Sequence, residues 1–289
     1  MNTILFPTDF STCANEAKKV AFSLAKLFNA ELRIVHVVND TIFNWESQSH
    51  FSKALDSFPL LPKLPTVVSE RAGSNRFLNA IESIKDEATS EGIKASVVLL
   101  FGNAASEIID ESKKVDASLI VMGTTGASGL SEAVIGSVAQ KITRHAKCPV
   151  LSLRKIKASG FKVENLIYAS DFSVESENNN LEVVKVLANY FNAKIHLLYI
   201  NSPHYFEETH ASIERIASVA KEHELTNFKI EVYNHFTVED GVLAYANQNN
   251  VDLIAVSNHQ YGLLKSIVEY RTAEVLVNHA LVPVLTLNV

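Results

Sequence analysis

The amino-acid sequence predicts an α/β protein of two tandem doubly wound domains, each with a five-stranded parallel sheet and helices on both faces. Three observations support this fold class. The chain repeats itself, short apolar runs alternate with longer segments of helical periodicity, and the apolar runs are continuous. Continuous runs such as "LIVM" (119–122) are typical of parallel strands that helices cover on both faces.

Three segments of the first half return in the second half in the same order. They are "ILFPTDFS" (4–11) with "LIYASDFS" (166–173), "FNAELRIVHV" (28–37) with "FNAKIHLLYI" (191–200), and "CPVLSL" (148–153) with "VPVLTL" (282–287). We therefore expect two copies of one domain, over 1–155 and 162–289, joined near "RKIKASGFKVE" (154–164). A chain of 289 residues accommodates two domains of ordinary size.

Strands and helices alternate along the first copy. Runs rich in Val, Ile and Leu predict strands at 3–7, 31–37, 95–100, 118–122 and 149–153. Apolar residues at helical spacing predict helices at about 13–28, 75–90, 104–114 and 134–145. The second strand and second helix are separated by a long excursion, 38–74, which contains Trp45 and "FPLLPKLP". This excursion is expected to pack on its own core, with a lid or a subunit contact as the alternatives.

Composition excludes several classes of protein. The formal net charge is -6 and like charges form no long block, so we expect no nucleic-acid partner and no anionic membrane partner. The sequence has no run of 18 apolar residues and no leader-like N-terminus. Cys13 and Cys148 are isolated, which favours a reducing compartment. These features predict a cytoplasmic protein.

The stretch "VMGTTGASGLSEAVIGSV" (121–138) is unusually rich in small residues. Gly123 directly follows a predicted strand, at the sheet edge where ligands of open α/β sheets bind. Gly123 and Gly126 can adopt positive φ, and Gly136-Ser137 marks a helix start, which suits a phosphate. The alternative is a simple turn in which Ser137 caps the helix. A Walker-type lysine and a GxGxxG after the first strand are both missing.

The spacing Gly123-x2-Gly126-x9-Gly136-Ser137 resembles the nucleotide-binding signature of the universal stress protein family, the UspA-like proteins, in their ATP-binding branch. "PTDFS", "IVHV" and "CPVL" are similar to other landmarks of that family. The resemblance covers nearly the whole chain as a tandem arrangement. It implies a HUP-type fold, similar to the adenine nucleotide alpha hydrolases, and binding of ATP, with or without Mg²⁺, with slow or negligible turnover.

The resemblance also implies roles for individual residues. Asp9 is expected to bind the adenosine part, with Pro7, Thr8 and Val37 as walls for the base. The ribose and phosphates are expected to be surrounded by Met122, Gly123, Gly126, Gly136, Ser137 and Val138. Asp9 is equally placed to cap the helix that begins near Cys13. The persistence of Asp171 and Ser173 in the second copy favours a partly structural role for this turn.

The second copy has lost the glycine pattern. With Cys148 aligned to Val282, the four signature residues of the first copy become Ser257, Gln260, Tyr270 and Arg271. We therefore expect no equivalent ATP binding there. His204 and His210 are six residues apart, a spacing that fits no recognised metal site, so no metal site is predicted. His36 and its counterpart Tyr199 are interpreted as packing residues or crevice walls.

The predicted function is that of a nucleotide-dependent stress-response or regulatory protein that acts on an unknown protein partner through ATP occupancy. No catalytic residue is predicted, since GxSxG and HExxH are missing. The alternatives are a slow ATPase or other nucleotide-processing enzyme, and a structural interaction protein that binds no nucleotide. A weaker alternative is an apolar or metal ligand in the second copy. The resemblance implies pairing of the final strands into an intramolecular pseudo-dimer, and leaves a homodimer open.

Overall fold

The structure is a computed structural model that describes residues 1–38, 70–124, 135–154, 161–173, 177–258 and 265–288. The chain divides into two compact units, unit 1 (Met1–Arg154) and unit 2 (Lys155–Val289). Most of the excursion 38–74 lies outside the described residues, and so does Gly126 of the predicted site. No helix in the described ranges is long and apolar enough to cross a membrane.

Unit 1 is built on a parallel sheet of strand order β3-β2-β1-β4-β5. Its elements follow one another as β1 (Thr3–Pro7), α1 (Thr12–Phe28), β2 (Glu31–Val38), α2 (Glu70–Ser90), β3 (Ala95–Phe101), α3 (Ala104–Lys114), β4 (Leu119–Gly123), α4 (Ser137–His145) and β5 (Val150–Leu153). Ile4 and Leu5 of β1 are both fully buried. Neighbouring side chains of a strand point to opposite faces, so both faces of the sheet are covered here.

Helix α1 shows how the local sequence sets an element's bounds. Ser11 is its N-cap and accepts a hydrogen bond from the backbone N–H of Ala14. Asn29 ends the helix in the left-handed conformation, with its backbone N–H directed at the carbonyls of Ala25 and Lys26. The cap residues therefore fix α1 between the end of β1 and the start of β2.

An ion pair lies inside unit 1 between β2 and α3. The Glu111 carboxylate is 3% exposed and accepts hydrogen bonds from Arg33, from Nε at 2.9 Å and from Nη2 at 2.7 Å. Lys114 Nζ approaches the other carboxylate oxygen at 3.2 Å. Both oxygens of this buried carboxylate are thus paired, as a buried charge requires.

Unit 2 repeats this topology with the strand order β8-β7-β6-β9-β10. Its elements are β6 (Asn165–Ala169), α5 (Glu177–Phe191), β7 (Lys194–Asn201), a 3₁₀ turn (Pro203–Tyr205), α6 (Thr209–Glu222), β8 (Phe228–Asn234), α7 (Val238–Gln248), β9 (Leu253–Asn258), α8 (Lys265–His279) and β10 (Val284–Asn288). The predicted class, a doubly wound α/β fold in each half, is confirmed.

A buried histidine sits in the core of unit 2. His196 on β7 is 2% exposed, and its Nδ1 lies 3.1 Å from the Tyr245 hydroxyl. Its Nε2 lies 3.3 Å from Asn165 Oδ1, and that oxygen can only accept. Nε2 therefore carries the proton, and Nδ1 accepts from Tyr245. This network holds the neutral imidazole.

Candidate functional site

The carboxyl ends of three neighbouring strands meet at one edge of the unit 1 sheet. β1 lies between β2 and β4, with Pro7 paired to Val35 and Leu5 paired to Ile120. Successive strands run outward from β1 through β2 to β3, and on the other side from β4 to β5. The strand order therefore reverses between β1 and β4, which is where open α/β sheets bind ligands.

The turn that follows β1 is held by its own side chains. Thr8 Oγ1 accepts from the Phe10 N–H at 3.1 Å, and Asp9 Oδ1 accepts from the Ser11 N–H at 3.0 Å. Phe10 has a φ of 61°, an uncommon backbone conformation for a bulky residue. Asp9 is half-buried and does not itself cap α1, since Ser11 does so. In the structure its Oδ1 stabilises this turn.

His36 on β2 contacts the same turn and stabilises it. It is buried, and its Nδ1 lies 2.7 Å from the carbonyl oxygen of Thr8, so Nδ1 is the donor. The ring lies 4.7 Å from Phe10 and 4.6 Å from Phe77, measured between centroids. Burial lowers the pKa of His36, although the hydrogen bond to Thr8 opposes this. The neutral imidazole is therefore a positioning group for the β1 turn.

Gly123 at the end of β4 is required by close packing. A Cβ added there would lie 2.9 Å from the carbonyl carbon and Sγ of Cys13 and 3.0 Å from the N of Ala14. Positive φ occurs at Gly92 and Gly102 among the described glycines, so the expected positive φ is not found at Gly123. The glycine instead lets the start of α1 approach the end of β4.

The start of α4 lies against the end of β4. The Gly136 N–H donates to the carbonyl of Thr124 at 2.8 Å, and Gly136 is the N-cap, with a φ of -62° and a ψ of 144°. The cap has no side-chain hydrogen bond, and the first turn has no acidic residue. Ser137 is the first helical residue rather than the cap. The positive end of α4 is therefore available to an anion.

The structure thus brings together the β1 turn, the end of β4 and the start of α4. Pro7, Thr8 and Met122 are buried, whereas Ser137 and Val138 are exposed. Val37 is half-buried on β2, the strand beside β1.

Thr124 is a further residue of this edge that sequence reasoning missed. Its Oγ1 is buried and has no hydrogen-bond partner among the described residues. Nothing in the sequence separates Thr124 from Thr125, so only the fold could identify it.

A cavity of about 410 Å³ in unit 1 lies between α1 and α2, beside the predicted site. Lys18 and Glu87, which form an ion pair at 2.6 Å, lie on its wall with Arg76. Of the predicted site residues that the structure describes, Thr8 alone lines it. This cavity is therefore not the predicted nucleotide site. No group of three His, Cys, Asp or Glu side chains in the described ranges could hold a metal ion.

Unit 2 keeps the turn and changes the helix start. Ser170 and Asp171 accept from the N–H groups of Phe172 and Ser173, each at 3.0 Å, and Phe172 has a φ of 55°. Helix α8 has 15 residues against 9 in α4. Arg271, which aligns with Ser137, therefore lies inside α8 and not at its start, so its N–H is not free for an anion.

The crevice of unit 2 contains a cavity of about 520 Å³. It lies at the carboxyl ends of β6, β7 and β9, and its wall includes Tyr199, Glu207 and Arg215. Tyr199 is thus a crevice wall, whereas its counterpart His36 packs in the core. The sequence analysis gave an apolar or metal ligand in the second copy as a weaker alternative, but it considered "HYFEETH" (204–210) only for metal. The available signal was the aromatic pair Tyr205-Phe206 directly after β7.

Comparison with known proteins agrees with this geometry. The universal stress protein family matches the chain twice, over residues 1–154 and 162–288. The chain is 35% identical over 154 residues to universal stress protein MJ0531 of Methanocaldococcus jannaschii, covering 53% of this chain and 82% of that protein. It is 31% identical over 153 residues to universal stress protein YxiE of Bacillus subtilis, covering 53% of this chain and 99% of that protein.

A solved structure shares the fold over nearly the full length. The crystal structure of a universal stress protein from Archaeoglobus fulgidus has a TM-score of 0.72 and 20% identity, covering 99% of this chain and 98% of that one. At this identity the likeness concerns the fold alone. Together with the family match in each half, it shows that this chain is a tandem member of the universal stress protein family.

Proposed function

We propose that unit 1 binds one ATP per chain, and that the protein acts in a stress response through nucleotide occupancy rather than turnover. The observation that carries this proposal is the start of α4. It lies at the switch point of the sheet, has no capping side chain and has no acidic residue in its first turn. Backbone N–H groups and the helix dipole at such a position favour a phosphate.

The surrounding residues fit a nucleotide. In the proposed complex Ser137 donates its exposed hydroxyl to a phosphate, while Gly123, Gly126 and Gly136 allow a close approach to the backbone, beside Met122 and Val138. Asp9 accepts hydrogen bonds from the adenosine part. Pro7, Thr8 and Val37 form the wall behind the base. The buried hydroxyl of Thr124, which lacks a partner among the described residues, is a further donor at this edge.

Unit 2 supports the proposed stoichiometry. The position that aligns with Ser137 lies inside α8, where backbone N–H groups are used by the helix itself. A phosphate therefore finds the free N–H groups of a helix start at the switch point of unit 1 and not at the aligned position of unit 2. One binding event per chain follows.

Isothermal titration of nucleotide-free protein with ATP and Mg²⁺ tests this proposal, with phosphate release measured in the same samples. Gly136→Tyr should abolish binding while the protein stays folded, because a φ of -62° and a ψ of 144° suit any residue. Gly136→Ala adds one methyl group at the same position and should weaken binding less than Gly136→Tyr does. Two sites per chain, or normal binding by Gly136→Tyr, would show that the proposed site is wrong.

A further inference from the structure

The cavity of unit 2 has the size of a small-molecule site. Its volume of about 520 Å³ lies within the usual range for ligand pockets, roughly 300–1,000 Å³. It lies at the carboxyl ends of β6, β7 and β9, where the strand order of unit 2 reverses between β6 and β9. Position and volume therefore meet the general requirements of a binding site, although the glycine pattern is lost.

Apolar and aromatic side chains form much of the wall of this cavity. Leu198, Ile200 and Val256 come from the sheet. Tyr205 and Phe206 also line it and are 50% and 76% exposed, so they lie where the cavity opens to solvent. A ligand with a flat apolar face would bury these rings, which gives the largest favourable contribution to binding.

The guanidinium of Arg215, on the cavity wall, is already paired with protein groups. Arg215 forms an ion pair with Glu207 through Nη1 and donates from Nε to the carbonyl of Asp171 at 3.1 Å. Its guanidinium lies 5.2 Å from the centre of the Tyr199 ring, and the Tyr199 hydroxyl donates to the carbonyl of Tyr205 at 2.7 Å. The polar groups that hold the cavity in shape are therefore bonded to one another.

The ion pair on the cavity wall disfavours anions. Among the described lining residues the guanidinium is that of Arg215, and it is paired with Glu207. The hydrogen bond from Arg215 lowers the pKa of Glu207, which keeps that carboxylate ionised at neutral pH. A phosphate-bearing ligand would compete with Glu207 for Arg215 and would find no free N–H groups at the aligned helix position.

From these contacts we infer that the unit 2 cavity binds an uncharged, predominantly apolar ring compound. The flat face of the ligand packs against Tyr199, Tyr205 and Phe206. This inference does not depend on nucleotide binding by unit 1.

Two naphthalene dyes of similar size test the inference in the full chain. Prodan is uncharged, and ANS carries a sulfonate. In fluorescence titrations Prodan should bind at one site per chain, and Phe206→Ala should weaken it about tenfold. Phe236→Ala is the matched control, because Phe236 is 82% exposed and does not line the cavity. Equal effects of the two variants, or no binding of Prodan, would overturn the inference.

Charge selectivity gives a second, independent readout. ANS should bind the unchanged protein more weakly than Prodan does. Glu207→Gln releases Arg215 from its ion pair and should strengthen ANS binding about fivefold or more, while Prodan changes less than about twofold. An unchanged ratio of the two affinities would contradict the assignment. Displacement of Prodan by saturating ATP would place the dye in a nucleotide site and also overturn the inference.

Discussion

The buried His196 should make unit 2 sensitive to mild acid. Burial lowers its pKa from 6.5 to about 4, helped by the charges of Lys229 and Lys194 and opposed by Glu231. Protonation would add a hydrogen to Nδ1. Nδ1 could then no longer accept the hydrogen bond that the Tyr245 hydroxyl now donates to it. The unfolded chain therefore takes up this proton at higher pH than the folded chain does, and stability falls as the pH decreases from 6.5 towards 4.

The magnitude follows from the two pKa values. A group with a pKa of 6.5 when unfolded and about 4 when folded loses about 2 kcal/mol of stability between about pH 7.5 and pH 5. Salt and solvent screen the charges of Lys194 and Lys229, so we expect about 1–2 kcal/mol. For a urea dependence of about 1–2 kcal/mol per molar, the unfolding midpoint of unit 2 should fall by roughly 0.5–2 M.

Pulse-labelling hydrogen exchange measures this loss for unit 2 separately. Samples equilibrated in urea at each pH receive a brief deuterium pulse at one fixed pH, and mass spectrometry follows peptides from β7. The His196→Gln variant is the control, because it cannot titrate while other groups still do. The free energy of unfolding is plotted against pH for both proteins, and the difference between the two slopes is the contribution of His196. Identical slopes would refute the reasoning that a neutral buried imidazole is held there.

Three further predictions concern unit 1. Gly123→Ala places a methyl group against the backbone of Cys13 and should lower the free energy of unfolding by about 1–3 kcal/mol in urea titrations. Arg33→Met leaves the buried Glu111 carboxylate paired only with a lysine, which should cost about 3 kcal/mol in the same assay. Burial raises the pKa of Cys148 to about 11, so alkylation at pH 8 should be about 100-fold slower than in the unfolded chain by peptide mass analysis.

The predictions for Gly123 and Arg33 each have a matched control variant. Gly136→Ala adds a methyl group at an ordinary φ and should change stability by less than about 0.5 kcal/mol. Lys113→Met removes an exposed pair with Asp110 and should have a similarly small effect. If Gly136→Ala lowered the free energy of unfolding as much as Gly123→Ala does, close packing at Gly123 would not explain the loss. An equal loss from Lys113→Met and Arg33→Met would likewise contradict the role of the buried charge. Rapid labelling of native Cys148 would mean that its thiol is open to solvent.

The elements of the fold could be predicted closely from the sequence because apolar runs and helical periodicity reflect burial directly. The strand predicted at 31–37 ends one residue later, at Val38. The helix predicted from 75 begins at Glu70, and the helix predicted from 134 begins at Ser137. Helix starts were less accurate because they depend on which residue caps the helix, and a glycine cap leaves no side-chain signal.

The sequence indicated which strand ends and which helix start form the candidate site, but not the contacts that join them. The glycine spacing indicated the edge of the sheet, yet the reason for Gly123 is its contact with Cys13, which is 110 residues away in sequence. The support of Thr8 by His36 likewise joins two strands. In unit 2 the hydrogen bond from Arg215 to the carbonyl of Asp171 joins α6 to the turn after β6, across 44 residues of sequence. Contacts of this kind have no local pattern.

The early start of α8 also makes the divergence of the two units difficult to reverse. Replacing Tyr270 and Arg271 by the glycine and serine of unit 1 would put a glycine inside a formed helix, at a cost of about 1 kcal/mol. It would not expose the N–H groups, because the preceding residues from Lys265 onward would still be helical. A phosphate site like the one proposed for unit 1 would need nearly two turns of α8 to unwind. Single substitutions do not achieve this, so the crevices of the two units stay chemically distinct.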